Sequence, residues 1–136
     1  MILRDHSGAI IFSSCRFLTY CASPLEAEVA ACMEGIALTL EWSREPFILE
    51  TDCLVAANMI MEKGLNRPPV ASLIGEVKRL LSQDREYKLF HVSRNSNNVS
   101  HTLAQLGLLV PRTAVWLRGG PDEIDTLCQQ DCNDLP

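Results

Sequence analysis

The sequence predicts an α/β domain in which a mixed sheet is flanked by helices. Three observations support this class: strand-type and helix-type apolar patterns alternate, a hairpin signal opens the chain, and a long capped helix follows. The 136 residues fit one ordinary domain, and the 47% of apolar residues are enough for a core. We assign residues 1–107 to the domain and residues 108–136 to a partly ordered tail, which Trp116 pins in place.

The hairpin and the first helix have the clearest local signals. Two β-type runs, 2–6 and 9–21, are separated by the turn sequence Asp-His-Ser-Gly. The helix predicted at 24–42 begins with Ser23 as N-cap, Pro24 in the first helical position and Glu26 in the third. Apolar residues then recur at helical spacing, so one face of this helix should be buried.

The remaining elements follow at ordinary spacing. They are a strand at 46–51, a short helix at 53–63 closed by Gly64, a break at 67–69, a helix at 70–82, a strand at 87–92 and a helix at 97–106. The strand at 46–51 is continuously apolar at its start, which predicts burial on both faces and a parallel neighbour.

Charge and targeting signals narrow the classes of function. Twelve basic and seventeen acidic residues give a net charge of −5, which disfavours tight nonspecific binding to a phosphate backbone. The sequence has neither an apolar run of about 18 residues nor a signal-peptide layout, so we expect no membrane association and an intracellular location, nuclear or cytoplasmic. None of the six cysteines forms a Cys-x-x-Cys pair, so we expect free thiols in a reducing compartment.

Two carboxylates stand where an α/β fold can bring them together. Glu28 lies near the start of the long helix, beside its apolar stripe, and Asp52 follows the buried strand at its carboxyl end. Paired carboxylates can hold Mg²⁺, which takes oxygen ligands. The alternatives are that Glu28 only favours the positive end of the helix dipole and that Asp52 only caps the next helix.

Several segments together resemble a known family. They are the helix from Glu28 to Ile36, the Thr51-Asp52 pair at a strand end, His91 to Arg94, the Asn-x-x-x-His-x-Leu-Ala segment at 97–104, and the Arg-Asp-x-x-Gly hairpin at 4–8. In order and spacing they resemble the ribonuclease H family, most closely the plant reverse-transcriptase-like domains of ribonuclease H type 1. The resemblance covers most of residues 2–107.

The resemblance implies a two-metal nuclease in origin. In that family four carboxylates hold two Mg²⁺ ions, which activate a water as the RNA strand of an RNA–DNA hybrid is cut. Glu28 and Asp52 match two of the four as metal ligands and catalytic groups, and His101 stands at the fourth position of the catalytic set. Imidazole is a poor Mg²⁺ ligand, and a partly buried helix residue is the alternative interpretation of His101.

The same resemblance names the residues expected to contact nucleic acid. Asn97 is expected to cap the last helix and to lie close to the hybrid, while Arg94 and Lys88, with Lys78 and Arg79, are candidates for phosphate contact. Solvated surface charge is the alternative for each basic residue.

The opening strand of the family, with its Asp, is missing here, because Met1-Ile2-Leu3 looks like the second strand. Without it two sheet edges would lack partners. Three explanations stay open: the chain is a fragment of a longer protein, a partner chain supplies the strand, or the sheet rearranges.

We therefore expect a ribonuclease H type 1-like domain that binds nucleic acid and derives from a metal-dependent RNA–DNA hybrid ribonuclease, a hydrolase whose activity is weak or lost in this chain. The alternative is a non-catalytic module that keeps the fold for nucleic-acid or protein binding. A thiol or zinc protein using the cysteines and His101 is the least favoured interpretation.

Overall fold

The computed structural model describes residues 1–62 and 69–133. Its elements are β1 (Ile2–Arg4), β2 (Ile10–Cys15), α1 (Pro24–Trp42), β3 (Phe47–Thr51), α2 (Leu54–Met61), α3 (Ala71–Leu81), β4 (Tyr87–His91), α4 (Asn98–Leu109), β5 (Ala114–Leu117) and α5 (Asp122–Asn133). A 3₁₀ turn at Arg94–Asn97 precedes α4. The predicted α/β class is confirmed. The predicted helix end at Gly64 and the break at 67–68 lie outside the described residues.

The described strands form two separate ladders. One is antiparallel with the order β1-β2-β5, and the other is the parallel pair β3-β4. Both kinds of pairing expected of a mixed sheet are therefore present, but in two sheets, because β1 and β3 do not pair with each other in the described part of the chain. The missing opening strand stays a prediction. The chain divides into two compact units, Met1–Leu18 with Arg94–Pro136, and Thr19–Ser93.

The first unit consists of the antiparallel sheet with α4 and α5. Its core joins Val99 and Leu103 of α4 to Ile124 of α5, and the partly buried Ile10 and Trp116 pack against them. Trp116 therefore anchors β5 through apolar contact, as expected of a large aromatic side chain. Sequence reasoning assigned no elements to residues 108–136, and the structure places β5 and α5 there.

An ion pair and the strand ladder connect the end of the first unit to its beginning. The Arg4 guanidinium lies 2.9 Å from the Asp131 carboxylate, and both side chains are partly buried. β5 pairs with β2 from Phe12 opposite Leu117 to Cys15 opposite Ala114. These contacts explain why so short a strand is ordered, since its ladder partner β2 is longer and mostly buried.

The second unit packs helices on one face of the parallel pair β3-β4. The aliphatic residues Val29 and Ile36 of α1 and Ile74 of α3 form its core, and Phe47 and Leu49 of β3 pack against that core. The strands pair in register from Phe47 opposite Tyr87 to Thr51 opposite His91. The predicted parallel pairing is confirmed, and it places the carboxyl ends of β3 and β4 side by side.

The prediction that the strand at 46–51 is buried on both faces is wrong. Ile48 is 59% exposed, Glu50 is also exposed, and Phe90 on the neighbouring strand is 48% exposed. Successive side chains of a strand point to opposite faces, so alternate residues meet the helices and the others do not. The continuous apolar run therefore reflects one covered face and one open face within this unit.

α1 begins and ends as its sequence predicts. The Ser23 hydroxyl accepts a hydrogen bond from the Glu26 backbone N–H at 3.2 Å, and the Glu26 carboxylate accepts one from the Ala22 N–H. Both bonds satisfy backbone donors that would otherwise lack partners at the start of the helix. This fixed start sets which residues of α1 face the strand beside it, and hence where Glu28 lies.

Candidate functional site

The candidate site lies in the second unit, where α1 passes the end of β3. Glu28 is one turn into α1 and half-buried, and the half-buried Asp52 directly follows β3. The side chain of Glu28 lies next to the buried Val29 in sequence, so it stands at the border of the apolar face. Each carboxylate is therefore placed by an element whose other residues are fixed in the core.

A buried thiol lies within electrostatic reach of both carboxylates. Cys32 follows Glu28 by one helical turn and is only 6% exposed. The pKa of the Cys32 thiol is raised to about 11: burial is the largest cause, the charges of Glu28, Cys53 and Asp52 add to it, and a hydrogen bond from Thr51 acts in the opposite direction. Glu28 and Asp52 therefore both contribute to the electrostatic environment of the same sulfur.

Thr51 organises the turn that carries Asp52. This residue ends β3 and is only 4% exposed. Its Oγ1 accepts a hydrogen bond from the Cys53 backbone N–H at 3.2 Å, and its side chain also bonds with the Cys32 thiol. Cys53, not Asp52, occupies the N-cap position of α2. The Thr51 hydroxyl thus links the end of β3 to α1 and to the start of α2.

The residues of this site do not fit a complete two-ion centre. In residues 1–62 and 69–133, no group of three or more His, Cys, Asp or Glu side chains is arranged to hold a metal ion. Cys32 carries its proton at neutral pH, and Mg²⁺ prefers oxygen ligands over sulfur. Glu28 and Asp52 are half of the four-carboxylate set that the resemblance implies.

The other predicted site residues are spread over both units. His101 lies near the start of α4 in the first unit and is exposed, so the interpretation as a partly buried helix residue is wrong. Asn97 is the N-cap of α4, as predicted, but its side chain makes no capping hydrogen bond. Arg94 is exposed in the first unit, and Lys88 is exposed on β4 in the second. Within this set, Glu28 and Asp52 share one feature, which is that both charges act on the Cys32 thiol.

Sequence reasoning did not identify Cys32 as part of the site. The signal was its spacing: residues four apart on a helix share a face, and Cys32 is four residues after Glu28. Thr51 was noted only as part of a motif, and its link to α1 depends on how α1 packs against β3, which local sequence does not specify.

Comparison with known proteins adds one match. A family described as reverse transcriptase-like matches residues 1–107, which include every predicted site residue. No curated protein and no solved structure gives a significant match. Among the helices of the described residues, none combines the length and the apolar character needed to cross a membrane.

Proposed function

Because this chain belongs to the reverse transcriptase-like family, which is ribonuclease H-like, we propose that it is a nucleic-acid-binding domain derived from a metal-dependent RNA–DNA hybrid ribonuclease. Its own hydrolytic activity is weak or lost. The family gives the nucleic-acid context, and the specific hybrid, the weak activity and a nuclear or cytoplasmic location are our proposal.

The observation that supports this proposal is that Glu28 of α1 and Asp52 after β3 both act electrostatically on one buried thiol. Two carboxylates at the edge of a parallel strand pair can hold one Mg²⁺ when substrate phosphate oxygens complete its coordination. A bound Mg²⁺ would supply Lewis-acid polarisation of a phosphate. The part that the chain itself plays is to position two negative oxygens beside the scissile phosphate.

The weak activity follows from the remaining positions of the catalytic set. His101 is an exposed imidazole where the family has a carboxylate, so this position contributes less negative charge and poorer Mg²⁺ ligation at neutral pH. The described residues supply no third acidic ligand beside Glu28 and Asp52. In this proposal the described residues would offer too few ligands for a second ion, which would otherwise help to activate the water and to stabilise the leaving group.

In this proposal, few positively charged side chains contact the nucleic acid. Lys88 and Arg94 are exposed, Arg79 forms hydrogen bonds with the Glu76 carboxylate, and Lys78 donates to the Glu62 carbonyl. With a net charge of −5 the chain gains little from general phosphate attraction. About two phosphate contacts predict a slope of log affinity against log salt of about −2.

The test is binding and cleavage of a fluorescently labelled RNA–DNA hybrid in Mg²⁺ or Mn²⁺, over a salt titration. We expect salt-sensitive binding that weakens in Lys88→Ala, with slow cleavage that disappears in Glu28→Gln and in Asp52→Asn. Glu50→Gln is the matched control, because this carboxylate lies on the exposed face of the same strand. Cleavage that survives in both site variants, or the absence of any hybrid binding, would contradict the proposal.

A second candidate is a non-catalytic module that binds protein. The observation that favours it is an exposed apolar run at the end of α4, where Leu108, Leu109 and Val110 are 70%, 78% and 54% exposed. Apolar residues clustered on a surface often mark an interaction site. Absence of hybrid binding together with loss of self- or partner-association in Leu109→Asp would favour this candidate.

A further inference from the structure

β5 forms one edge of the antiparallel sheet, and this edge is unprotected. Among the edge strands of the described residues, β5 alone has no charged side chain, because β1 contains Arg4 and a bulge, β3 contains Glu50 and β4 contains Lys88. Charged residues and bulges are features that keep a sheet edge from pairing with another chain. β5 also lies beyond residues 1–107, which match the family, so its edge is a feature of this chain.

The ladder with β2 shows which backbone groups of β5 face the open edge. The Arg118 N–H donates to the Ile11 carbonyl at 2.9 Å, and Trp116 lies two residues before Arg118. Along an antiparallel strand, residues that bond to a given neighbour alternate with residues that do not. The backbone groups of Trp116 therefore bond to β2, whereas those of Val115 and Leu117 point away from β2.

The side chains of Val115 and Leu117 form an apolar surface beside these backbone groups. They are 47% and 53% exposed, although the residues opposite them on β2, Ser14 and Phe12, are buried. α5 reaches the other edge of the sheet, where Asp131 forms its ion pair with β1. The edge of β5 therefore offers hydrogen-bond donors, acceptors and apolar contact at one place.

We propose that β5 is a self-association surface, at which a second copy of this chain pairs antiparallel and joins two three-stranded sheets into one. A twofold axis at Trp116 places Val115 opposite Leu117 of the second copy, and the reverse. Because both residues turn their backbone groups outward, each such pair exchanges two N–H···O bonds. The Val and Leu side chains of both copies then meet on one face of the joined sheet. Twofold dimers are the commonest closed assembly, and this one does not depend on nucleic-acid binding.

The charges on either side of β5 favour a second copy as the occupant. Arg112 is exposed just before β5, and in this register it comes opposite Gly120 of the second copy. Two residues later, Asp122 and Glu123 begin the acidic first turn of α5. The twofold axis repeats this pairing of opposite charges, which fixes the register of the two strands.

Sedimentation equilibrium of the full chain, without nucleic acid, tests the proposal. The paired strands are short, and small interfaces are usually transient, so we expect an equilibrium between monomer and dimer. The average mass should rise from 15.1 kDa toward twice that value as the concentration increases. Measurements extend to about 1 mM protein, where a complex with a Kd of about 1 mM is populated.

Two variants change the edge in different ways. Val115→Pro removes an N–H that points away from β2, as an edge strand tolerates, and it should weaken the dimer about ten-fold because two bonds are lost per dimer. Leu117→Lys places a charge on the edge and should keep the chain monomeric. The matched controls are Val115→Ile, which keeps the N–H, and Ile48→Lys, which adds the same charge to an exposed residue of β3. Both controls should dimerise as the wild type does.

Three results would overturn the proposal. They are a mass that stays at 15.1 kDa at the highest concentration, a dimer that persists in Leu117→Lys, and a dimer that Ile48→Lys abolishes as well. Circular dichroism verifies that each variant is folded. If Val115→Pro does not fold, Leu117→Lys decides, because its side chain is 53% exposed. Hybrid binding is measured separately, so a failure of the proposed function is distinguishable from a failure of self-association.

Discussion

Replacing Thr51 with Val removes one hydroxyl from the centre of the candidate site and keeps the side-chain shape. Thr51 is only 4% exposed, and its Oγ1 accepts the Cys53 N–H at 3.2 Å and bonds with Cys32. The variant loses these bonds and leaves a buried N–H without its partner, which costs about 1–3 kcal/mol. We therefore expect the folding equilibrium constant to fall by about ten-fold for each 1.4 kcal/mol lost.

Urea unfolding followed by circular dichroism measures this loss, and Thr51→Ser is the control because it keeps the hydroxyl. A second readout uses the thiol itself. The Thr51 bond lowers the pKa of Cys32, so without it that pKa rises and alkylation of Cys32, measured on the tryptic peptide 17–44, needs higher pH. The reasoning is refuted if the Val variant matches the Ser variant in both urea midpoint and alkylation profile.

Two further predictions concern the cap of α1 and the ionisation of Cys32. Ser23→Ala removes the 3.2 Å cap bond to Glu26 and should lower the free energy of unfolding by about 1 kcal/mol, whereas Ser23→Asn should retain most of it; equal urea midpoints for the Ala variant and the wild type would contradict this. Burial raises the pKa of Cys32 from 9.0 to about 11, so the folded state favours the protonated thiol. The stabilisation of the folded state by the protonated Cys32 thiol is therefore complete below pH 9.0 and is lost as the pH rises through about 11. This loss is about 2–3 kcal/mol in the free energy of unfolding, and urea titrations at several pH values should show it in the wild type and not in Cys32→Ala.

The parts of the fold that the sequence predicts well are those with local causes. The start of α1 is predicted correctly because Ser23, Pro24 and Glu26 provide their signals within one turn, and the predicted end at residue 42 also agrees with the structure. The parallel pairing of β3 and β4 was also correct. The burial of β3 was not, because the cover over Ile48 depends on which elements pack against that face, and the strand itself contains no information about them.

β5 and α5 were not predicted, because their local sequence patterns are weak. In β5 only Ala114 and Trp116 point toward the interior, and four residues are too few for an alternating pattern to stand out. In α5 the spacing of Ile124, Leu127 and Cys128 is helical, but acidic residues surround it and obscured the pattern. Both elements are ordered by packing against Val99 and Leu103 of α4. The sequence of residues 108–136 alone does not contain this contact.

The sequence was enough to name the two carboxylates of the candidate site, but it was not enough to show that a thiol belongs with them. Glu28 and Asp52 could be named from their positions on a helix and at a strand end. The spacing of Cys32 from Glu28 places it on the same helix face, but its burial and the effect of Asp52 depend on how α1 packs against β3. Long-range packing, not spacing, decides which groups share an electrostatic environment.

Because the two carboxylates lie outside the apolar core, variants at Glu28 and Asp52 can test function without a large loss of stability. The core of the second unit consists of aliphatic residues such as Val29, Ile36 and Ile74, while Glu28 and Asp52 are half-buried at its border. Replacing a half-buried carboxylate with its amide changes charge with little change of volume, so the loss of packing energy should be small. Cys32 is different, because it belongs to the core and to the site together. Glu28→Gln and Asp52→Asn therefore report on chemistry, whereas a Cys32 variant reports on chemistry and stability at once and must be read against its urea midpoint.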